Sequence, residues 1–363
     1  MSSTIPGELQ RFGWTDAVAR LFDEHAAGGH VPGRVISEER GRWVAVTERG
    51  ELTASLAGRL RHDALDGEDL PAVGDWVALL PGADGSAAIH AVLPRSSRFA
   101  RPARGDIPGA QVIAANVDVV LVVSALDHDF NLRRLERFMA LAWSSGAEPV
   151  ILLNKADTCS DVAERLAAVR SIAPGVPALV LSAIDGTGID AVLPLLEPGR
   201  TLCLLGSSGV GKSTIVNALL GWQRQATGAV RADDQRGRHT TTRRELLVTP
   251  SGALLIDSPG MRSVGMWEAQ EGLGTAFADI DELAAGCRFG DCRHESEPGC
   301  GVRAAIEAGT LAASRLASRR KLERELEAID RRRRAGGRAE HRRQGRRLER
   351  FVRGHMRAKY GSD

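Results

Sequence analysis

The sequence predicts a multidomain protein made of a small β-barrel, a layered α/β domain and a helical C-terminal domain. Three observations support this fold class. Short apolar runs separated by turn residues fill 31–93, apolar runs alternate with helical patterns over 116–257, and three cysteines and a histidine fall within 287–300. A chain of 363 residues is long enough for two or three such domains.

The composition indicates a water-soluble protein with reduced cysteines. The chain is 43% hydrophobic and 26% charged, and it contains neither an apolar stretch of about 18 residues nor the apolar core of a signal peptide. Its five cysteines, an odd number, argue against a disulfide framework. We therefore expect a cytoplasmic protein that has no membrane partner, and we take it to be a monomer.

The N-terminal part is expected to be a short extension, residues 1–30, followed by a barrel, residues 31–105. In the extension, Thr15–His25 has the pattern of a helix that ends at Gly28-Gly29. Five short strands in one small region are typical of an OB-type barrel, which often binds oligonucleotides, although such a barrel can also be a purely structural appendage. The basic, proline-containing stretch 93–104 lacks periodicity and is expected to be a linker able to touch phosphates. The expected strands are Arg34–Ile36, Trp43–Val46, Leu52–Leu56, Trp76–Leu80 and Ala87–Leu93.

Residues 206–214, Gly-Ser-Ser-Gly-Val-Gly-Lys-Ser-Thr, are the motif around which the α/β domain is organised. They lie between the apolar run Thr201–Leu205 and a helical pattern beginning near Ile215, which predicts a strand, a phosphate loop and a helix. The glycines let backbone N–H groups converge on an anion at the helix N-terminus. Lys212 would reach the β and γ phosphates, and the Ser213 hydroxyl would bind Mg²⁺. The residues predicted to hold the phosphates are Gly206, Ser207, Ser208, Gly209, Val210, Gly211, Lys212, Ser213 and Thr214.

The tetrapeptide Asn154-Lys155-Ala156-Asp157 favours guanine as the bound base. It ends the apolar run Val150–Leu153, and the Asp157 carboxylate would accept from the ring N–H and the exocyclic amine of guanine, a pair of donors that adenine lacks. The pair Ser182-Ala183 also ends an apolar run and is similar to the backbone loop that supports the guanine carbonyl. Taken alone, the tetrapeptide is equally compatible with an ordinary helix-capping turn.

Asp257-Ser258-Pro259-Gly260 forms a second element expected to contact the phosphate end of the nucleotide. Asp257 would hold Mg²⁺ through water, and Gly260 would sense the γ-phosphate. Along the chain, the guanine-recognition tetrapeptide 154–157 comes first, followed by Ser182-Ala183, the phosphate loop 206–214, the threonine triplet 240–242 and the DxxG element 257–260. An ordinary GTPase begins with its phosphate loop instead. The sequence therefore predicts a circularly permuted domain, which is tolerated when the original chain ends lie close together.

The group that activates water does not stand out from the motifs. Met261, whose thioether cannot orient water, occupies the position where many GTPases carry a glutamine. His239 is the only nearby imidazole and is a candidate for positioning water, with a solvated or capping role as the alternative. One threonine of the triplet 240–242 would bind Mg²⁺ and the γ-phosphate, and we choose Thr241 as the candidate. The alternative is that the triplet is only a surface cluster. The catalytic candidates are His239, Thr241 and Lys212.

The cysteine-rich segment predicts a structural zinc site. Cys287, Cys292, His294 and Cys300 form a Cys₃His set suited to tetrahedral zinc, and nothing indicates an open coordination position.

Helical patterns follow at 302–311 and 316–329. Residues 331–363 then carry 13 Lys plus Arg against 3 Asp plus Glu, net +10, whereas residues 1–330 carry net −8. Such a tail is either a solvated extension or, as we favour beside an OB-like barrel, a binding element for RNA phosphates.

These motifs together resemble the RsgA (YjeQ) family of GTPases, which depend on the small ribosomal subunit. The segments NKAD, GSSGVGKST, RHTTT, DSPG and CRFGDCRHESEPGC occur in this order after PAVGDWV and QVIAANVD, so the resemblance covers nearly the whole chain. It implies an N-terminal OB-fold β-barrel, a central α/β circularly permuted P-loop GTPase domain and a C-terminal α-helical zinc-binding domain with a basic helical tail. We expect the last two domains at 106–283 and 284–363.

The resemblance also implies a function. Members of this family bind the small ribosomal subunit and its ribosomal RNA, hydrolyse GTP to GDP and phosphate under stimulation by the subunit, and assist its late maturation. The implied cofactors are GTP or GDP with Mg²⁺ and one structural Zn²⁺. The family also has a hydrophobic residue at the position of Met261, and the histidine matching His239 is its proposed catalytic residue. The alternative is an RNA-binding GTPase that acts on another ribosomal or RNA target.

Overall fold

The computed structural model describes residues 7–26, 28–39, 41–64, 66–102, 110–221, 244–257, 270–329 and 331. Its N-terminal extension forms two helices, α1 Gly7–Arg11 and α2 Asp16–Ala26, so the expected helix is confirmed. Four apolar side chains of this segment are buried, and the Trp14 ring packs edge-on against Trp76 of the barrel at 5.0 Å. The extension is therefore part of the folded core. The four buried side chains are Leu9, Phe12, Trp14 and Phe22.

Five strands form the expected N-terminal barrel. They follow the order β1-β2-β3-β5-β4, and β4 pairs with β1 to close the barrel, as predicted. The interior is apolar, with Val35, Val77 and Leu79 fully buried. The short helix α3 Gly58–Asp63 follows the third strand. The strands are β1 Val31–Glu39, β2 Arg42–Thr47, β3 Gly50–Leu56, β4 Trp76–Pro81 and β5 Ser86–Val92.

The segment after the barrel differs from the expected linker. Its residues form β6 Arg98–Pro102, which pairs antiparallel with β7 Ala110–Ala115. The prediction failed because Phe99 and Ala100, both buried, lie among arginines that conceal the apolar signal. Its partner β7 begins eight residues after the end of β6, and short strands depend on such a partner more than on their own sequence.

A layered α/β domain follows, with five parallel strands in the order β10-β9-β8-β11-β13 and the antiparallel strand β12 beside β13. Strand β8 is buried on both faces, as its continuous apolar run predicted. The phosphate-loop strand β11 lies between β8 and β13 inside the sheet, although β9 and β10 separate it from β8 in the chain. The elements are β8 Val119–Ala125, α4 Leu132–Ser145, β9 Glu148–Asn154, α5 Val162–Ile172, β10 Ala178–Val180, β11 Thr201–Leu205, α6 Lys212–Leu220, β12 Arg244–Val248 and β13 Leu254–Asp257.

The apolar spacing of Ile189–Leu196 predicts an α-helix, but this segment forms two short 3₁₀ turns instead. The turns span Ile189–Ala191 and Leu193–Leu195. Pro194 lies at the start of the second turn and has no N–H to continue an α-helical ladder from the first. The prediction of an α-helix was therefore wrong about the type of helix, and Leu193 of the apolar pattern is exposed.

The C-terminal part is helical, as expected. It contains α7 Gln270–Ala276, α8 Ala278–Ala284, α9 Gly301–Glu307 and a last helix, α10, over residues 313–329. Helix α7 packs along α4. No described helix is long and apolar enough to cross a membrane.

A buried ionic network fastens α10 to the α/β domain. The Arg315 guanidinium contacts Glu136 of α4 at 3.1 Å and both carboxylate oxygens of Asp279 at 2.5 and 2.8 Å. It also donates to the Ala276 carbonyl at 2.8 Å and lies 4.8 Å from the Phe277 ring centroid. Because Arg315 and Glu136 are each 4% exposed, this network forms part of the domain interface rather than its surface.

The barrel and the α/β domain share one sheet. Strand β1 pairs antiparallel with β12 through Ser37 opposite Glu245 and Glu38 opposite Arg244, and Glu38 also forms an ion pair with Arg244 at 2.5 Å. The eleven strands of the two parts are consequently continuous in hydrogen bonding. The position of the barrel is thereby fixed relative to strand β12.

Buried Arg34 forms the second connection between barrel and α/β domain. Its guanidinium donates to Thr201 Oγ1 at 2.8 Å, to the Asn116 carbonyl at 3.2 Å and to the Phe12 carbonyl. Burial lowers the pKa of Arg34 to about 10, so the side chain stays charged at neutral pH. Thr201 begins β11, the strand that leads directly into residues 206–214.

Candidate nucleotide site and metal centre

The loop 206–211 joins β11 to α6 at the carboxyl edge of the parallel sheet. Gly206, Gly209 and Gly211 have positive φ values of 158°, 80° and 97°, so the backbone follows a path that other residues rarely adopt. A Cβ at Gly211 would lie 2.2 Å from Asn154 Nδ2, whereas a Cβ at Gly209 would meet open space. The loop thus packs closely against residue 154 and leaves its outer side accessible, which suits an anion cradle at the N-terminus of α6.

Asn154 connects three of the predicted motifs. This side chain is 2% exposed, donates from Nδ2 to the Val210 carbonyl at 2.8 Å and accepts from the Ala183 N–H at 3.0 Å. The end of β9, the phosphate loop and the Ser182-Ala183 segment are therefore fixed to one another. The structure brings the three motifs together, while their contacts with a base remain a prediction.

Lys155 and Asp157 occupy the turn that follows Asn154. Lys155 adopts a left-handed conformation with φ 65°, and its Nζ lies 2.8 Å from Asp127 Oδ2. Burial is the largest single effect on Asp127 and opposes its ionisation, but the hydrogen bonds from Lys155 and the Asp129 N–H, together with the charge of Lys155, outweigh it and lower the pKa of this carboxyl. Asp157 lies in the 3₁₀ turn Ala156–Thr158 with its side chain exposed. The turn therefore presents one carboxylate outward and holds its lysine in place.

Asp127 and Arg134 are two site residues that the sequence reasoning missed. Asp127 follows β8, and Arg134 lies in the first turn of α4, where it contacts Ser207 Oγ of the phosphate loop at 3.3 Å. Both follow the strand that neighbours β11. Since the carboxyl ends of parallel strands meet at one edge of the sheet, that position was a usable signal.

Lys212, one of the predicted phosphate contacts, forms hydrogen bonds with the backbone of the loop itself. Its Nζ donates to the Gly206 carbonyl at 2.7 Å and to the Ser207 carbonyl. Ser213 lies in the first turn of α6, and Asp257 ends the neighbouring strand β13. The remaining candidates, His239, Thr241 and Gly260, lie outside the described residues.

The four predicted metal ligands converge in the C-terminal part. Their ligand atoms lie within 4.8 Å of one another, as the residue spacing predicted. The Cys287 and Cys300 sulfurs are 3.9 Å apart, and His294 Nδ1 lies 3.6 Å from the first and 3.4 Å from the second. A tetrahedral zinc with ordinary bond lengths requires sulfur–sulfur edges of about 3.8 Å and sulfur–nitrogen edges of about 3.6 Å. The donor set Cys287, Cys292, His294 and Cys300 therefore fits zinc.

The backbone around these ligands is held by local hydrogen bonds. His294 has φ 61°, a left-handed conformation, and Cys300 caps α9 by accepting from the Arg303 N–H at 3.4 Å. The Glu297 carboxylate accepts from the N–H groups of Arg293, Glu295 and Ser296 at 2.8, 2.7 and 2.9 Å, which lowers its pKa to about 2. The metal loop is thus held by its own hydrogen bonds.

The sheet order and the site geometry define this protein as a circularly permuted GTPase. The phosphate loop follows β11, which lies between two parallel strands of the sheet. The turn 154–157, which precedes this loop in the chain, lies beside it in space. The RsgA GTPase family model matches residues 92–267. Together with its relatives, this match shows that the chain belongs to the RsgA GTPase family, and it is a GTP-hydrolysing enzyme.

Relatives and solved structures agree with this assignment over most of the chain. It is 49% identical to the small ribosomal subunit biogenesis GTPase RsgA of Opitutus terrae, covering 87% of this chain and 89% of the relative. The protein of the same name from Streptomyces coelicolor is 46% identical and covers 93% of each chain. The structure of YjeQ from Thermotoga maritima matches with a TM-score of 0.61 and 27% identity, covering 82% of this chain and 98% of that one.

Proposed function

We propose that this GTPase acts on the small ribosomal subunit, assists its late maturation, and hydrolyses GTP faster when the subunit is bound. The names of its relatives, small ribosomal subunit biogenesis GTPases, support the choice of partner. The observation that carries the nucleotide-binding part of the proposal is the pair of hydrogen bonds made by Asn154, which link the turn 154–157 to the phosphate loop and to Ala183. A turn that only capped a helix would not need these bonds to the phosphate loop.

Recognition of guanine follows from the exposed carboxylate and the fixed lysine. Asp157 would accept from the two adjacent donors of guanine, and the alkyl chain of Lys155, held at its end by Asp127 at 2.8 Å, would lie along the base plane. Ser182 and Ala183 would line the carbonyl edge. A site built around such donors rejects a base without them by a factor of about 10⁴ to 10⁵.

Binding of the phosphates would use the loop N–H groups and the N-terminus of α6. Lys212 would exchange the carbonyls of Gly206 and Ser207 for phosphate oxygens, which carry more negative charge. Bound Mg²⁺ would neutralise phosphate charge, and Ser213 and Asp257 are the residues proposed to hold it. Gly260 and Thr241 are proposed to contact the γ-phosphate, and His239 is proposed to position the attacking water.

The other parts are proposed to serve binding rather than chemistry. The Cys₃His set would hold a structural zinc because all four ligand positions are filled by the protein. The barrel, the C-terminal helices and the basic tail would contact ribosomal RNA. We propose a monomer that acts in the cytoplasm, where its ribosomal partner is found.

GTP turnover by the purified protein, with and without small ribosomal subunits, tests the proposal. We expect the subunits to accelerate release of phosphate. Asp157→Asn should lose GTP turnover and gain turnover of xanthosine triphosphate, because an amide can donate to the xanthine carbonyl where the carboxylate accepted. Equal stimulation by large subunits or by unrelated RNA would contradict the assignment of the small subunit as the partner.

A further inference from the structure

A basic groove, defined by Arg133, Arg134, Arg137 and Lys321, lies between the start of α4 and helix α10. Its volume is about 380 Å³. It belongs neither to the nucleotide pocket proposed above nor to the zinc cluster, although one of its residues reaches the phosphate loop. The other lining residues are Asn131, Ser318, Leu322 and Glu325.

The basic groove carries more positive charge than its own carboxylate can balance. Glu325 pairs with Arg137 at 3.1 Å, and Asp129 at the rim pairs with Arg134 at 2.7 Å. Arg133 and Lys321 are exposed, and neither forms an ion pair within the described part of the chain. The charge of Arg133 acts on Glu136, but Glu136 already pairs with Arg315, so two cations of the groove have no ion pair of their own among the described residues.

The placement of these cations works against the helix that carries them. Asn131 caps α4 by accepting from the Arg134 N–H at 3.1 Å, so Arg133 and Arg134 occupy the second and third positions of a 14-residue helix. The first turn contains no acidic residue. The N-terminus of a helix favours anions and disfavours cations, so two arginines there oppose the helix dipole. A negatively charged ligand would relieve this conflict and would be attracted by the N-terminus as well.

We propose that the basic groove binds backbone phosphates of the RNA of the small ribosomal subunit, an inference that rests on the proposed function. Guanidinium groups bind phosphate oxygens through paired hydrogen bonds, and three of the four cations are arginines. In the sequence, residues 331–363, which follow α10, carry a further net charge of +10. A row of backbone phosphates can contact several cations of the groove at once, whereas an isolated acidic side chain of a protein would fill only part of it.

Arg134 joins the basic groove to the nucleotide site. One terminal nitrogen is held by Asp129, while the other lies 3.3 Å from Ser207 Oγ in the phosphate loop. A phosphate in the groove would compete for this guanidinium and change its contact with the loop. Because coupling between two binding sites is reciprocal, RNA in the groove and the nucleotide should alter each other's affinity by the same factor.

The test reverses the two groove cations that form no ion pair among the described residues, as Arg133→Glu with Lys321→Glu in the full-length protein. The control, Arg20→Glu with Arg170→Glu, makes the same charge change at exposed positions on α2 and in the last turn of α5. Binding is measured for small subunits and, separately, for a short duplex RNA over a range of salt concentrations. Affinity for GDP reports whether each variant is folded.

We expect the groove variant to bind both probes about tenfold more weakly or worse, and the slope of log affinity against log salt to fall in magnitude by about 2, one for each lost phosphate contact. The control should change neither value.

Unchanged duplex binding and an unchanged salt slope in the groove variant would overturn the inference. Loss of subunit binding with intact duplex binding would also overturn it, because the contact would then be with a ribosomal protein. Wild-type protein that binds duplex RNA through the groove but ignores small subunits would refute the proposed function instead.

Discussion

Replacing Arg315 by methionine should show how strongly the C-terminal helices depend on the buried ionic network. The substitution keeps an unbranched apolar chain of similar reach but removes the guanidinium that contacts Glu136 at 3.1 Å and Asp279 at 2.5 Å. Glu136 is 4% exposed, so its carboxylate would remain inside the interface without its cation. Breaking a buried pair in this way costs about 3 to 5 kcal/mol of folding free energy.

The assay is urea unfolding followed by far-UV circular dichroism, with the first transition compared between variants. Arg303→Met is the matched control, because Arg303 forms only an exposed pair with Glu307 at 3.4 Å and its loss should cost less than about 1 kcal/mol. The double variant Arg315→Met with Glu136→Gln should recover most of the loss, since no buried charge then remains on α4.

The loss should also depend on pH in a defined direction. Burial raises the pKa of Glu136 even though Ser318 and Arg315 donate to it. Without Arg315 the pKa should rise further, and a carboxyl with a raised pKa binds its proton more tightly in the folded state than in the unfolded state. The deficit of Arg315→Met should therefore shrink as the pH falls from about 7 to about 5. A deficit below about 1 kcal/mol at neutral pH, or one that grows on acidification, would refute this account of the network.

Three further predictions concern the site itself. Asn154→Ala should weaken GDP binding by about tenfold or more in a fluorescence titration, because the Val210 carbonyl and the Ala183 N–H both lose their partner; unchanged affinity would show that the bridge is dispensable. Cys292→Ser should lower the zinc content from about one per chain and destabilise the C-terminal domain, as metal analysis and thermal unfolding would show, and a fully folded, metal-free wild type would contradict the metal assignment. Glu297→Gln should speed the loss of zinc to a chelator without removing a ligand, because the three backbone N–H groups donate to both carboxylate oxygens, and the NH₂ group of an amide cannot accept the bonds that one of these oxygens accepts; equal rates would mean that the loop needs no such anchor.

The sequence was most informative where one residue type has one physical reason to be present. Glycines at 206, 209 and 211 predicted the phosphate loop because its backbone needs positive φ angles and, at 206 and 211, a close approach to neighbouring atoms, and the Cys₃His set predicted the cluster because structural zinc takes four such sulfur and nitrogen ligands. Buried strands were also predictable, since β8 and β11 are continuous apolar runs. In each case the signal was local to the residues that carried it.

The features that escaped prediction depend on partners far apart in the chain. In the sequence, Arg315 is one of many arginines in a basic C-terminal region. Only the fold shows that it forms an ion pair with Glu136, a residue that lies 179 positions earlier in the chain. Arg34 and Thr201 are likewise 167 positions apart. Strand β6 escaped for a different reason: its partner β7 is close in the chain, but the arginines around Phe99 and Ala100 conceal the apolar signal of the strand.

The pairing of β1 with β12 limits how this chain can be divided. A fragment that began at the α/β domain would lack the partner of Arg244 and Glu245, and it would leave β12 as an unprotected sheet edge that carries buried Leu246 and Leu247. Exposed edges with apolar neighbours recruit strands from other copies, so such a fragment should aggregate. The barrel therefore acts as an edge cover for its neighbour, and a soluble truncated enzyme should retain it.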